Sequence, residues 1–290
     1  MFLFDNLFLS YIILFIMEYI FNYMLVNSII TPVSEYDKKG NVTIYEVIRI
    51  IDGVPLYLEN HLQRLVASAN KINKSVPYSK SQFKELIDKL ITSIKVFSGN
   101  IKISLNYSDT TLECQTVIAF IPHKYPSQIE YSEGVDTVTS IDQRVNPGVK
   151  MQDDILRNKF NNLLQIQNVY EVILVHPDGY ITEGSRSNIF FIKGDTIETS
   201  PDEIVLPGIT REFIIKICRE NNYDINFNYI PYSGISKFDA AFITGTSPKV
   251  LPIKRIDKHL YNLPNKIIEN ISHKYDDFIL SYLATHQKIN

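Results

Sequence analysis

Cysteine is nearly absent: Cys114 and Cys218 are the two in 290 residues, far apart and in no metal-ligand spacing. That argues against a disulfide framework and a cysteine-based zinc site, and makes a reducing cytoplasm the expected setting. Also missing is any dense block of lysine and arginine. With a net charge of −3, the chain carries no electrostatic footprint for nucleic acid or an anionic membrane. There is no internal repeat and no low-complexity stretch. What remains is an ordinary globular composition, 45% hydrophobic and 21% charged, long enough for two modest domains or one large one.

The N-terminus lacks what its apolar character would need for targeting. Residues 2–26 are largely apolar but interrupted by Asp5, Asn6, Glu18 and Asn22. A secretory signal needs a basic leader and a small-residue cleavage site, and neither is there. A membrane span needs roughly 20 predominantly apolar residues with few charges, which makes the stretch borderline. The expectation is therefore an apolar extension over residues 1–23, with Met17 or Met24 as the true start, in a cytoplasmic protein. Membrane association through this segment is the alternative.

From residue 24 the patterning is mixed. Val42–Ile51 is rich in β-branched and aromatic residues, and Asp52-Gly53 makes a hairpin turn into Val54–Leu58. Helices are expected over 58–72, with Leu62, Leu65, Val66 and Ala69 on one face, and over 79–97, with Phe83, Leu86, Leu90 and Ile91. Leu25–Val33 supplies one earlier strand, and Ile101–Tyr107 and Thr116–Ile121 two later ones. A break at 122–128 suggests a linker between a small α+β domain, 24–123, and a larger one, 131–290. In the second half, strands are expected at 135–140, 171–175, 180–182, 188–192, 225–229 and 240–244. Helices are expected at 152–167 (Ile155, Phe160, Leu163 and Leu164 inward), 209–221 and 264–284.

Taken singly, the polar residues have bland readings. Lys150, after Asn-Pro-Gly-Val, suits a surface lysine, and Glu183 a solvated turn acid. Arg64, three residues after His61, suits a surface ion pair on a helix. Gly208-Ile209-Thr210 is a helix start whose N–H groups could hold a phosphate. Thr244-Gly245-Thr246-Ser247 ends a strand in small hydroxyl residues.

In order, however, these segments form a pattern. Glu183-Gly184-Ser185-Arg186-Ser187-Asn188-Ile189-Phe190, then Ile197-Glu198-Thr199, then Leu206-Pro207-Gly208-Ile209-Thr210-Arg211 resemble the signature of the class IV aminotransferases, spacers included. Lys150 stands 33 residues before Glu183, at the place of the family's lysine, whereas Lys159 is only 24 residues away and inside the expected helix. Tyr45-Glu46-Val47-Ile48-Arg49, His61-Leu62-Gln63-Arg64-Leu65, Tyr170-Glu171 and Thr244-Gly245-Thr246-Ser247 also fall in the family's order, so that the resemblance spans about 42–258. It implies an α+β, two-domain fold of type IV, like D-amino acid aminotransferase, with pyridoxal 5'-phosphate in the interdomain cleft and a homodimeric assembly.

The resemblance also implies roles. Lys150 is the Schiff-base lysine and proton carrier, and Glu183 the carboxylate at the pyridine nitrogen. Arg64, the N–H groups of Ile209 and Thr210, and Thr246 form the phosphate cup. Tyr45 faces the substrate side, and Asn188 is structural. No metal is expected.

Branched-chain aminotransferases carry an arginine in the strand matching Ile101–Tyr107 and a tyrosine five residues after the lysine; this chain has neither, with Ile155 at the second place. Where D-amino acid aminotransferases have an arginine and a histidine, it has Ser108-Asp109-Thr110. Arg144 or Lys249 is then the expected holder of the substrate carboxylate. Three functions fit: transamination between an amino acid and a 2-oxo acid, the 4-amino-4-deoxychorismate lyase reaction, or cofactor binding without turnover.

Overall fold

A computed structural model describes residues 19–108 and 113–286. The chain divides into two compact units. Of the described residues, one unit holds 19–108, 113–124, Lys150–Gln152 and 283–286; the other holds Tyr125–Val149 and Asp153–Tyr282.

In the first unit, positive-φ turns set the strand breaks. Asp52 and Gly53 both take left-handed backbone, the geometry that lets a two-residue turn match the twist of its strands. They join β3 (Val42–Ile51) to the short β4 (Val54–Pro55). Asn27 and Ser28 do the same between β1 (Tyr23–Val26) and β2 (Ile29–Pro32), so that Leu25–Val33 is a hairpin rather than one strand. With β5 (Gly99–Tyr107) and β6 (Cys114–Ile121), the antiparallel order is β2-β1-β6-β5-β3-β4.

Two helices pack on this sheet. α1 (Leu58–Lys71) buries Leu58, Leu62, Leu65 and Ala69, leaving Val66 exposed. α2 (Lys80–Ile94) starts at a capping box of Ser79 with Gln82 and buries Phe83, Ile87, Leu90 and Ile91.

Residues 1–18, most of the expected extension, lie outside the described residues. Those just after them belong to the sheet's packing. Phe21 meets Phe120 edge-on, Val33 N donates to Asn22 O, and Tyr23 is already in β1, so that a boundary drawn before Met24 cuts through the strand. No described helix is long and apolar enough to cross a membrane.

The first element of the second unit is α3 (Gln128–Glu133), which begins at the end of the expected break and is capped by Ser127. Its strands are β7 (Val135–Ile141), β8 (Glu171–Val175), β9 (Ile181–Gly184), β10 (Asn188–Lys193), β11 (Thr196–Thr199), β12 (Asp224–Phe227), β13 (Ala240–Gly245), β14 (Lys249–Ile256) and β15 (His259–Leu260). They form one mixed sheet, β12-β11-β10-β13-β14-β7-β8-β9, with β15 on β14. β14, running through Pro252, was not expected as a strand.

α4 (Asp154–Gln167) turns Leu156, Phe160, Leu163 and Leu164 onto Val172 and Leu174. Ile155, expected inward, is 85% exposed, because the buried stripe runs i, i+4, i+7, i+8 from Leu156. α5 (Ile209–Glu220) buries Ile214, Ile217 and Cys218 beside β12 and β13, and α6 is Lys266–His286.

Candidate active site

In the first unit, Lys150 is carried on a short stretch laid along β3. Tyr45 N donates to Lys150 O (2.9 Å) and Gln152 N to Thr43 O (2.8 Å), while Lys150 N donates to the Ser68 hydroxyl (3.3 Å) on α1. These backbone ties fix where the side chain leaves the chain. The Lys150 amine stands 4.9 Å from the centre of the buried Tyr45 ring. Lys102 comes within 5.3 Å of the same ring, with its amine held by Gln152.

Arg64 does not lie on a solvated helix face. It is buried, and its Nε and Nη2 donate to the two oxygens of Glu46, each at 2.7 Å. His61 Nδ1 also meets Glu46, at 2.7 Å. Burial opposes the charge on Glu46, but Arg64 and His61 outweigh it and hold the carboxyl below its usual range. Burial lowers the His61 pKa, against the pull of Glu46 and with the charges of Arg64 and Lys150 adding to the lowering. Arg64 and His61 thus converge on one buried acid, Glu46, and Lys150 lies against its strand neighbour Tyr45.

The second unit gathers the signature segments. Glu183 ends β9, buried; its Oε1 accepts from Arg144 Nε at 2.8 Å and its Oε2 from Leu206 N at 3.3 Å. Arg144 Nη2 donates to Ser185 O (2.9 Å). Lys249 is paired with Asp276 at 2.5 Å. Both cations expected for a substrate carboxylate are therefore engaged elsewhere, and Asp109 and Thr110, the other position considered, lie outside the described residues.

The loop after Glu183 folds over Glu171, which accepts from the Ser185 and Ser187 hydroxyls and Arg186 N (2.6, 2.8 and 3.3 Å). Asn188 donates to Leu206 O (2.9 Å), and its amide fills the space where a Cβ on residue 208 would be, which makes position 208 a glycine. Gly208 then caps α5 without a side-chain bond, leaving the first turn's N–H groups, at Ile209 and Thr210, to other acceptors. The Thr210 hydroxyl stands 3.3 Å from that of Tyr275. Half-buried Thr246 sits in the turn from β13 to β14, where the neighbouring Gly245 approaches Arg186 O.

The sequence reading gave no role to Glu46. Its signal was a lone acid in an apolar ten-residue strand, followed on the next helix by His61 and Arg64 one turn apart. No cluster able to hold a metal occurs among the described residues.

Comparison with known proteins agrees with the motifs. The amino-transferase class IV family profile matches residues 43–256. D-alanine aminotransferase of Bacillus licheniformis is 27% identical over 252 residues, 83% of this chain and 89% of that protein. The fold is shared with the branched-chain amino acid aminotransferase of T.th., solved with pyridoxamine 5'-phosphate (TM-score 0.78, 20% identity, 93% of this chain and 99% of that one). A Legionella pneumophila chain assigned as a 4-amino-4-deoxychorismate lyase shares it too (TM-score 0.73, 16% identity, 84% and 97%). The chain belongs to the class IV aminotransferases, enzymes of α+β fold type IV that use pyridoxal 5'-phosphate.

Proposed function

We propose that this protein moves an amino group between an amino acid and a 2-oxo acid, with Lys150 as its Schiff-base lysine. The observation that carries this is the fixed placement of Lys150: its backbone is tied to β3 and α1, and its amine lies against Tyr45. Lys159 has no such setting, since its amine is paired with Asp142 on the surface of α4.

The donor set fits the cofactor. A buried carboxylate (Glu183), a buried guanidinium (Arg64) and a helix start without a side-chain cap suit a pyridinium nitrogen and a phosphate dianion. Bound there, pyridoxal 5'-phosphate would supply a reactive carbonyl and an electron sink for charge developing at the substrate's Cα. In this reading Lys150 Nζ carries the proton to and from that carbon. Glu183 faces the ring nitrogen, with Arg144 Nε orienting the carboxylate through Oε1. Arg64, Ile209 N, Thr210 N and Thr246 bind phosphate, and Tyr45 borders the substrate side. The working enzyme is a homodimer in the cytoplasm.

Mixing the purified protein with a panel of D- and L-amino acids, and following the cofactor's absorbance, tests the reaction. Conversion to pyridoxamine phosphate by some of them, reversed by 2-oxo acids, is expected. Pyruvate release from 4-amino-4-deoxychorismate without that conversion would replace transamination by the lyase reaction. Glu183→Gln should keep cofactor and lose turnover by orders of magnitude; a near wild-type rate would remove Glu183 from its role.

A further inference from the structure

Burying an ion pair seldom adds stability over a well-packed apolar pair, because each charge gives up its hydration. The Glu46–Arg64 pair is nevertheless buried against β3, with Glu46 at 0% exposure. Its geometry is the fork-to-fork arrangement, in which both carboxylate oxygens engage the guanidinium and fix its plane as well as its position. His61, one turn before Arg64 on α1, bonds the same carboxylate and limits its rotation from a second side.

A neutral histidine facing an ionised carboxylate through Nδ1 must carry its proton there, so His61 acts as a donor. Glu46 thus collects three donors on two oxygens, all from one helix face. A tie needed only to pin α1 to the sheet would not require a guanidinium's orientation to be set twice over.

We infer that Glu46 is a positioning residue, which presents the Arg64 guanidinium in the one orientation that receives the cofactor's phosphate. This rests on the reading of Arg64 as a phosphate ligand. Glu46 itself touches neither cofactor nor substrate in this account. Its removal should therefore weaken the hold on the phosphate and leave the hold on the ring alone.

That distinction is measurable. The full-length protein, stripped of cofactor, is titrated with pyridoxal 5'-phosphate and with pyridoxal, which has the same ring and carbonyl but no phosphate. The ratio of the two affinities is compared between wild type, Glu46→Gln and Glu46→Asp. Lysine attachment and ring contacts cancel in the ratio, whereas phosphate contacts do not. Glu46→Gln should lower it by about tenfold or more, the size of one charge-assisted contact.

Glu46→Asp, which keeps the charge but falls short of the fork, should lower the ratio as well; it carries the test alone if the glutamine variant does not fold. Equal losses for both ligands, or none, would reduce Glu46 to a structural tie and overturn the inference. Arg64→Gln, which removes the cation, separates this failure from that of the underlying reading. If the Arg64→Gln variant keeps the wild-type ratio, Arg64 does not bind the phosphate, and both statements fall.

Discussion

Replacing Gly208 by alanine tests how the signature's glycine and asparagine work as a pair. The backbone at Gly208 has φ −70°, which alanine adopts without strain, so that chain entropy alone favours the substitution by about 0.4–1 kcal/mol. Against this, the new Cβ would stand 2.1 Å from Asn188 Oδ1. Asn188 is buried, and moving its side chain breaks the bond to Leu206 O, which costs about 1–3 kcal/mol when a buried carbonyl loses its donor. The net expectation is a loss of about 1–2 kcal/mol, read as a lower denaturation midpoint in urea. Since Leu206 N also donates to Glu183, cofactor affinity should fall with it. In the Asn188→Ala background the clash is gone, so the same Gly208→Ala change should cost nothing or stabilise. Additive losses in the double variant would show that the two residues do not compete for this space, and the reasoning would fail.

Three further expectations can be checked by denaturation or thiol chemistry. On α4, Ile155→Ser should change stability by no more than about 0.5 kcal/mol, whereas Phe160→Ala should cost about 3–5 kcal/mol; comparable effects would mean that the helix buries the other face. His61, with its pKa lowered in the folded protein, should make stability fall as pH drops below about 6.5, because the unfolded chain binds a proton that the folded one refuses. Glu46, held below its usual range, stays ionised in that window, so His61→Asn should flatten the slope between about pH 7 and 5; an unchanged slope would contradict the assignment. Burial pushes the Cys218 thiol up to about 12 and that of Cys114 to about 11, so neither should react quickly with a thiol reagent at pH 8 in the folded state; rapid labelling of Cys218 would place it outside the core.

The strands and helices that carry the signature segments were readable because strong local signals coincide there. Asp52-Gly53 fixes a turn, β3 is β-branched along its length, and Pro207-Gly208 opens a helix. Weaker local chemistry hid the rest. Asn27-Ser28 lacks the glycine that marks a left-handed hairpin turn, so β1 and β2 read as one strand. No strand was expected after 240–244, although β14, with Pro252 inside it, lies in the sheet between β13 and β7. On α4, Phe160, Leu163 and Leu164 face inward as expected, and only Ile155 was mistaken for its equally apolar neighbour Leu156.

At the site, the resemblance to the class IV family marked Lys150, Glu183 and Arg64, but their partners needed the fold. Nothing local in the sequence says that Arg144 meets Glu183 rather than a substrate, or that Glu46 lies beneath Arg64. Those contacts span 39 and 18 residues of chain. The attachment of Lys150–Gln152 to β3 joins residues still farther apart.

The identity of the cofactor-bearing lysine tests the account most directly. The purified protein is reduced with borohydride in the presence of pyridoxal 5'-phosphate, digested, and the pyridoxyl group is located by mass spectrometry. The account predicts the label on Lys150, and its loss in Lys150→Ala. A label on Lys159, on Lys102 beside the same tyrosine, or on any other lysine would contradict it, and with it the reading of the site.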